Sequence, residues 1–216
     1  MSSRARVTAG SSASRASCNE PASPPIGRRF ARWVSVAIVS SSVSCVFFQS
    51  DPVHDSEVQA LGPEQPGIPR GPYHRAGQPC TVCHSSAGPA HTTFALAGTV
   101  FSSASVPASQ AGPIGVDGAS VGVVDDQGAL YLSQTNCVGN FFVTPDVFNP
   151  AFPILVNVSK LGAGVVNMIG HISRDSSCAS CHSDPPSTSS PGHVYLPTEA
   201  PTVNPDCPVS PVAQGM

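Results

Sequence analysis

The chain carries little charge, few aromatic side chains and no long apolar run. Only 11% of its 216 residues are charged and 6% are aromatic. Lys160 is the single lysine and Trp33 the single tryptophan. A chain without a basic stripe lacks the electrostatic footprint of nucleic-acid binding. The main apolar run, at residues 33–39, is too short to span a bilayer by itself. Outside that run no segment keeps a 3.6-residue apolar period over ten residues, which argues against a helical bundle. The acids form no strong general acid–base arrangement. What the chain does have is turn formers, with 23 Pro and 19 Gly, and eight cysteines.

Four of those cysteines fall in two copies of one pattern, Cys80-Thr81-Val82-Cys83-His84 and Cys178-Ala179-Ser180-Cys181-His182. Cys-x-x-Cys-His is the attachment pattern of c-type haem. The two thiols reach the two vinyl groups of one porphyrin, and the following His lies under the iron as its proximal ligand. Two copies predict two covalently attached haems, held by Cys80, Cys83, Cys178 and Cys181, with His84 and His182 on the irons. Two other chemistries use the same cysteines. A four-cysteine zinc site needs two Cys-x-x-Cys pairs, although it does not require a His after each. A dithiol redox motif would want a thioredoxin-like βαβ context, which the flanking residues do not provide.

The N-terminal stretch reads as a leader. Residues 1–27 are rich in Ser, Ala, Arg and Pro and read as disordered. Arg28, Arg29 and Arg32 then precede the apolar run at 33–39 and a Ser-rich run up to Cys45. That order is the order of a secretory signal. Ser42-Val43-Ser44-Cys45 resembles a bacterial lipoprotein signal, in which Cys45 is lipidated and anchors the chain to a membrane. Ordinary cleavage near this point, or a mitochondrial transit peptide, would also suit the residues. The expected location is the periplasm, the outer membrane or the cell surface of a Gram-negative bacterium. Six of the ten basic residues precede Cys45, so the remainder carries four bases against twelve acids, a net of −8. Such a surface suits a basic redox partner and no nucleic acid.

Beyond the leader, residues 46–79 hold six prolines and no apolar period, which predicts an extended tether. Residues 80–93 form the first haem loop. Short β-branched runs follow at 94–101, 119–124, 129–133, 140–144 and 152–158, with a weaker one at 165–169. Gly- and Asp-bearing turns separate them, one of them at Asp125-Asp126-Gln127-Gly128 with both acids read as solvated. The pattern predicts a mainly β fold, a small antiparallel sandwich over 94–158. Residues 159–196 return the chain through the second haem loop, and 197–216 form a Pro-rich tail. Nineteen residues from 159 to 177 can span several tens of ångströms at roughly 3.3 Å each. The second motif can therefore lie beside the first. Cys137 and Cys207 are expected to pair as a disulfide in an oxidising compartment.

Two resemblances sharpen this reading. Gly98-x-Val100, Gly118-Ala119-x-Val121-x-Val123-x-Asp125-x-x-Gly128 and Thr135-x-x-x-Gly139-Asn140-Phe141 resemble the carboxypeptidase regulatory-like domain, over about residues 94–158. The resemblance implies a transthyretin-like sandwich with a structural or binding role. The chain departs from that pattern by a polar insert at 102–117 and by Cys137. Gly71-Pro72-x-His74-Arg75-x-Gly77-Gln78-Pro79-Cys80 resembles exported diheme proteins of deltaproteobacterial and myxobacterial type. That resemblance implies a c-type cytochrome and names no substrate.

The sixth position on each iron decides the chemistry, since Met raises the reduction potential and a second His lowers it. Met168 and His74 are the leading candidates for the distal side. Met168 is the only internal methionine after the leader and stands ten residues before Cys178. His74 stands six residues before Cys80 in a Pro-rich loop. His91, His171 and His193 are further candidates, and His54 is read as a solvated tether residue. The expected function is an exported electron carrier. The alternatives are a small peroxidase or reductase with one open iron, and a binding scaffold in which the haems are structural.

Overall fold

The computed structural model describes residues 51–64, 67–105, 114–197 and 204–209. The leader, Cys45 and its expected lipid, and the middle of the polar insert lie outside the described residues. Within them the fold is mainly β, built from two antiparallel sheets. The smaller sheet pairs β1 (Leu96–Thr99) with β4 (Asn140–Val143). The larger runs in the order β3 (Leu130–Gln134), β2 (Ser120–Val124), β5 (Leu155–Lys160) and β6 (Gly164–Asn167). Both sheets feed one core. Leu96 of β1, Val121 and Val123 of β2, Phe141 and Val143 of β4 and Val158 of β5 bury against each other. Fully burying a side chain such as Leu96 or Val123 contributes about 1.5–3 kcal/mol.

The period-2 pattern explains the strands. Val121 and Val123 share a face and turn inward, while Leu130 and Leu132 share the outer face of β3 and stay exposed. The weak run near residue 165 is a full member of the larger sheet, with Val166 opposite Val158. The sheet therefore continues past residue 158, the expected end of the sandwich, and takes in the weaker run as its edge strand. All six strands form within two residues or so of their expected runs.

The tether expectation is corrected. Residues 52–60 form an α-helix, α1 (Pro52–Ala60), that buries none of its side chains. The helix rests on its cap and not on an apolar face. Asp51 accepts hydrogen bonds from the Val53 and His54 N–H groups at 3.0 and 3.2 Å, and Pro52 opens the first turn. The later part of the tether is packed as well. Ala76 and Gln78 are 1% and 5% exposed. Arg75 ties this loop to the end of α1, donating to the Leu61 and Gly62 carbonyls at 3.2 and 2.8 Å. These are carbonyls that a helix end leaves unsatisfied.

Cys137 and Cys207 form a disulfide across 70 residues, with Cα atoms 5.7 Å apart. It sits in a second small cluster with Ala76, Val138 and Val209, so the tail is tied to the loop before the first motif. In the chain-entropy view a loop of this size contributes about 4 kcal/mol.

Asp125 corrects the reading of both turn acids as solvated. Asp126 is exposed, but Asp125 is only 8% exposed. Its carboxylate accepts from the N–H groups of Ala151 at 3.1 Å, Ala129 at 2.8 Å and Gln127 at 3.0 Å. These bonds, Ala151 foremost, hold its pKa below the ordinary value of 3.8. A depressed carboxylate pKa adds stability that is present above the unfolded value and is lost as pH falls through the folded one. Asp125→Ala should therefore lower the melting temperature by several degrees at pH 7. The gap from the parent should narrow as pH falls below about 4, followed by thermal melts across that range.

Candidate functional site

The two motifs adopt the same local architecture. Cys80–Cys83 is one helical turn, α2, and Cys178–Ser180 is a 3₁₀ turn. In each, the His N–H donates back to the first Cys carbonyl at 2.9 Å, His84 to Cys80 and His182 to Cys178. Each imidazole is then oriented by a backbone carbonyl further along the chain. His84 Nδ1 donates to the Thr92 carbonyl at 2.7 Å, and His182 Nδ1 to the Gly192 carbonyl at 3.0 Å. A carbonyl can only accept, so Nδ1 carries the proton in both rings. In a neutral ring Nε2 then carries the lone pair. This is the second-shell bond by which a metal-binding His is usually aimed. Phe94 stacks on the His84 ring with centroids 4.0 Å apart and fixes its plane.

Both motifs are anchored to β1. Gly77, three residues before Cys80, donates its N–H to Thr99 Oγ1 at 2.9 Å. The second loop begins and ends on the free edge of the same strand region. Ala97 N–H donates to the Ser176 carbonyl and Phe101 N–H to the Val194 carbonyl, each at 2.9 Å. Residues two apart on a strand lie about 7 Å apart, so the segments entering the two motifs meet β1 within one residue pair. Gly98 lies between these anchors. A Cβ there would meet Cys178 Sγ at 2.6 Å and Phe141 Cε1 at 2.9 Å. Only glycine lets the second motif pack this closely on the strand. Gly77, Thr99, Phe101, Cys178, His182 and His193 converge with no space for a water among them.

Among the described residues the four motif thiols are free. Cys80, Cys83, Cys178 and Cys181 make no disulfide. Burial pushes the Cys80 thiol up to about 11 and the Cys178 thiol up to about 12, and burial also raises Cys83. Dithiol redox enzymes need the opposite, a thiol lowered toward neutrality. Among the described residues no group of three or more His, Cys, Asp or Glu side chains gathers as a metal-ion cluster. A four-thiolate zinc site would need such a cluster.

An apolar cleft of about 400 Å³ opens beside the second motif. Val156, Val166, Met168 and Ile172 line it together with Cys178 and His182. Its size falls in the range of small-molecule sites. Met168 therefore shares a cavity with the second motif, held by its N–H on the Val156 carbonyl at 3.0 Å. His74 lies beside the first, its ring centroid 5.9 Å from that of His84. Burial lowers the His74 pKa, with Glu64 opposing, which favours a neutral ring. His91 and His171 are exposed. His193 is buried, stacks near Phe101 with centroids 4.5 Å apart, and leaves Nδ1 buried without a partner. It adjoins Gly192, so it sits on the wall that carries the proximal ring. His54 is not the solvated residue expected from its place in the tether. It is half-buried and its Nε2 has no partner, because α1 packs against α2.

Several positioning residues left no motif in the sequence. The Thr92 and Gly192 acceptors are backbone carbonyls, which any residue could supply. Thr99 and Asn140 are ordinary strand residues until the sheet pairs them, with Thr99 Oγ1 donating to Asn140 Oδ1 at 2.7 Å.

The chain matches no protein-family model, no curated protein and no solved structure. Its function is therefore argued from the chemistry of these two motifs.

The residues present fit haem c. Each motif offers two unoxidised thiols, an imidazole with its Nε2 lone pair freed, and the second adjoins an apolar cleft. If the motifs hold haem c, Gly98→Ala should displace Cys178 and reduce covalent attachment at the second motif while the first stays loaded. Peptide mass mapping of the purified protein would read that difference.

Proposed function

We propose that this chain is an exported diheme c-type cytochrome that carries electrons. The observation that carries the reading is the repeated arrangement at the two motifs. Each pairs free cysteines with a His whose Nδ1 is held by a main-chain carbonyl. Cys80 and Cys83 would hold one haem, and Cys178 and Cys181 the other. His84 and His182 would bind the irons through Nε2. When bound, each haem supplies a one-electron iron couple.

The protein's own residues do the positioning. Thr92 and Gly192 orient the proximal rings and raise their basicity by accepting the Nδ1 proton's hydrogen bond. Val156, Val166 and Ile172 give the second site an apolar wall against which a porphyrin could pack. β1 holds the two motifs close, an arrangement suited to passing an electron from one site to the other. The sandwich is the scaffold for both loops, a structural role of the kind the resemblance to the carboxypeptidase regulatory-like domain would imply.

Export is supported by the Cys137–Cys207 disulfide, a bond characteristic of oxidising compartments. The excess of acids after Cys45 suits a basic-surfaced redox partner that is steered in by charge.

Expression with a c-type maturation system should yield a protein heavier by two haems, which resist extraction by acidified solvent. Cys80→Ala with Cys83→Ala should leave one haem, as should Cys178→Ala with Cys181→Ala. A parent protein that leaves the maturation system with no covalent haem would refute the assignment.

A further inference from the structure

We propose that His74 is the second axial ligand of the iron at the first motif, so that this haem is held between two histidines. The inference rests on the diheme reading and adds the ligand that sets the chemistry of one site.

The geometry is that of an open pair. The His74 and His84 ring centroids are 5.9 Å apart, with planes inclined by 40°. Metal–imidazole bonds of about 2.0–2.1 Å put two opposed nitrogens about 4 Å apart, and the ring centroids then fall about 6.4 Å apart. The two rings stand within about half an ångström of that spacing. They are too far apart to stack in contact, and a single metal atom is the size of the gap.

The loop that carries His74 is held rigidly. Asn140 Nδ2 donates to the His74 carbonyl at 3.1 Å and to the Pro72 carbonyl at 3.2 Å. Asn136 Nδ2 also donates to the Pro72 carbonyl, at 2.7 Å. Asn140 belongs to β4, which pairs β1, and Thr99 links it to Gly77. One network of hydrogen bonds, buried at the Thr99–Asn140 pair, therefore places the His74 loop, β1 and the entry to the first motif. Phe94 stacks on the His84 ring, with centroids 4.0 Å apart, and holds its plane.

His74 Nδ1 accepts the Gly71 N–H at 3.3 Å, so its ring proton sits on Nε2. Binding iron through Nε2 shifts that proton to Nδ1 and gives up the Gly71 bond. No proton is gained or lost in the change. At 3.3 Å the bond is outside the usual range and its loss is small. The rival at this site is His54, whose Nε2 is buried and unpartnered on α1. His74 stands with its ring centroid 5.9 Å from that of His84, whereas the side chain of His54 lies on α1.

The test uses the matured holoprotein. In the parent, near-infrared magnetic circular dichroism should show a bis-histidine band from one haem; its absence overturns the proposal. His74→Ala should turn half of the ferric iron from low spin to high spin by EPR, and added imidazole should restore it. His74→Met should keep that haem low spin and raise one of the two reduction potentials, with the other unchanged. If His74→Ala leaves both haems low spin at unchanged potentials, or if His54→Ala produces the high-spin half instead, His74 is not the ligand. A protein that carries both haems covalently and fails these spectra defeats only this inference. A protein without covalent haem defeats the cytochrome reading as well.

Discussion

The structure depends on a single buried strand. All four residues of β1 are buried, because both of its faces and both of its edges are occupied. One edge pairs β4 and the other receives the backbone on either side of the second motif. The Thr99 hydroxyl leaves the strand to accept the backbone of the first motif's approach. An unpaired strand edge presents a row of unsatisfied donors and acceptors. Here the loop around Cys178 satisfies those groups, so the same bonds protect the sheet and fix the second motif. This coupling explains why the strand tolerates glycine at residue 98. The space a side chain would take is occupied by Cys178.

The site chemistry follows from what that packing does to the side chains. Burial makes the Cys80 and Cys178 thiols weak acids, unlike the activated thiols of disulfide exchange. The His84 and His182 imidazoles are each given a carbonyl partner that enforces one tautomer. The two sites differ on their other sides. The first faces a second histidine on a loop pinned by Asn140. The second faces an apolar cleft with Met168 in its wall. If the motifs hold haem as proposed, these different surroundings would give the two irons different potentials, since ligand identity and burial are the main levers on a haem couple.

Much of this was legible in the residues. The strands followed from β-branched runs and period-2 alternation, because a half-buried strand writes its two faces directly into the sequence. The two motifs were legible for a similar reason: their chemistry needs specific side chains at specific intervals. α1 was missed because the reading relied on an apolar face, and this helix has none. Its signal was the Asp51-Pro52 cap. Asp125 was read as a solvated turn residue because a turn acid commonly is one. Its third partner, Ala151, lies 26 residues away and becomes a neighbour only through the pairing of β2 with β5. His54 escaped notice for the same reason, since α1 meets α2 only in the folded chain.

The sequence by itself determined the donor atoms: two pairs of thiols, each followed by an imidazole, in a chain whose short β-branched runs between Gly- and Asp-bearing turns point to a β fold. Those properties are local, because covalent spacing and strand period act over a few residues. The tertiary structure decided which groups stand opposite one another. It brought His74 to within 5.9 Å of His84, set Met168 in the cavity of His182, and joined both motifs at β1. These are contacts between distant parts of the chain, fixed by core packing and by backbone groups that must find partners once water is excluded.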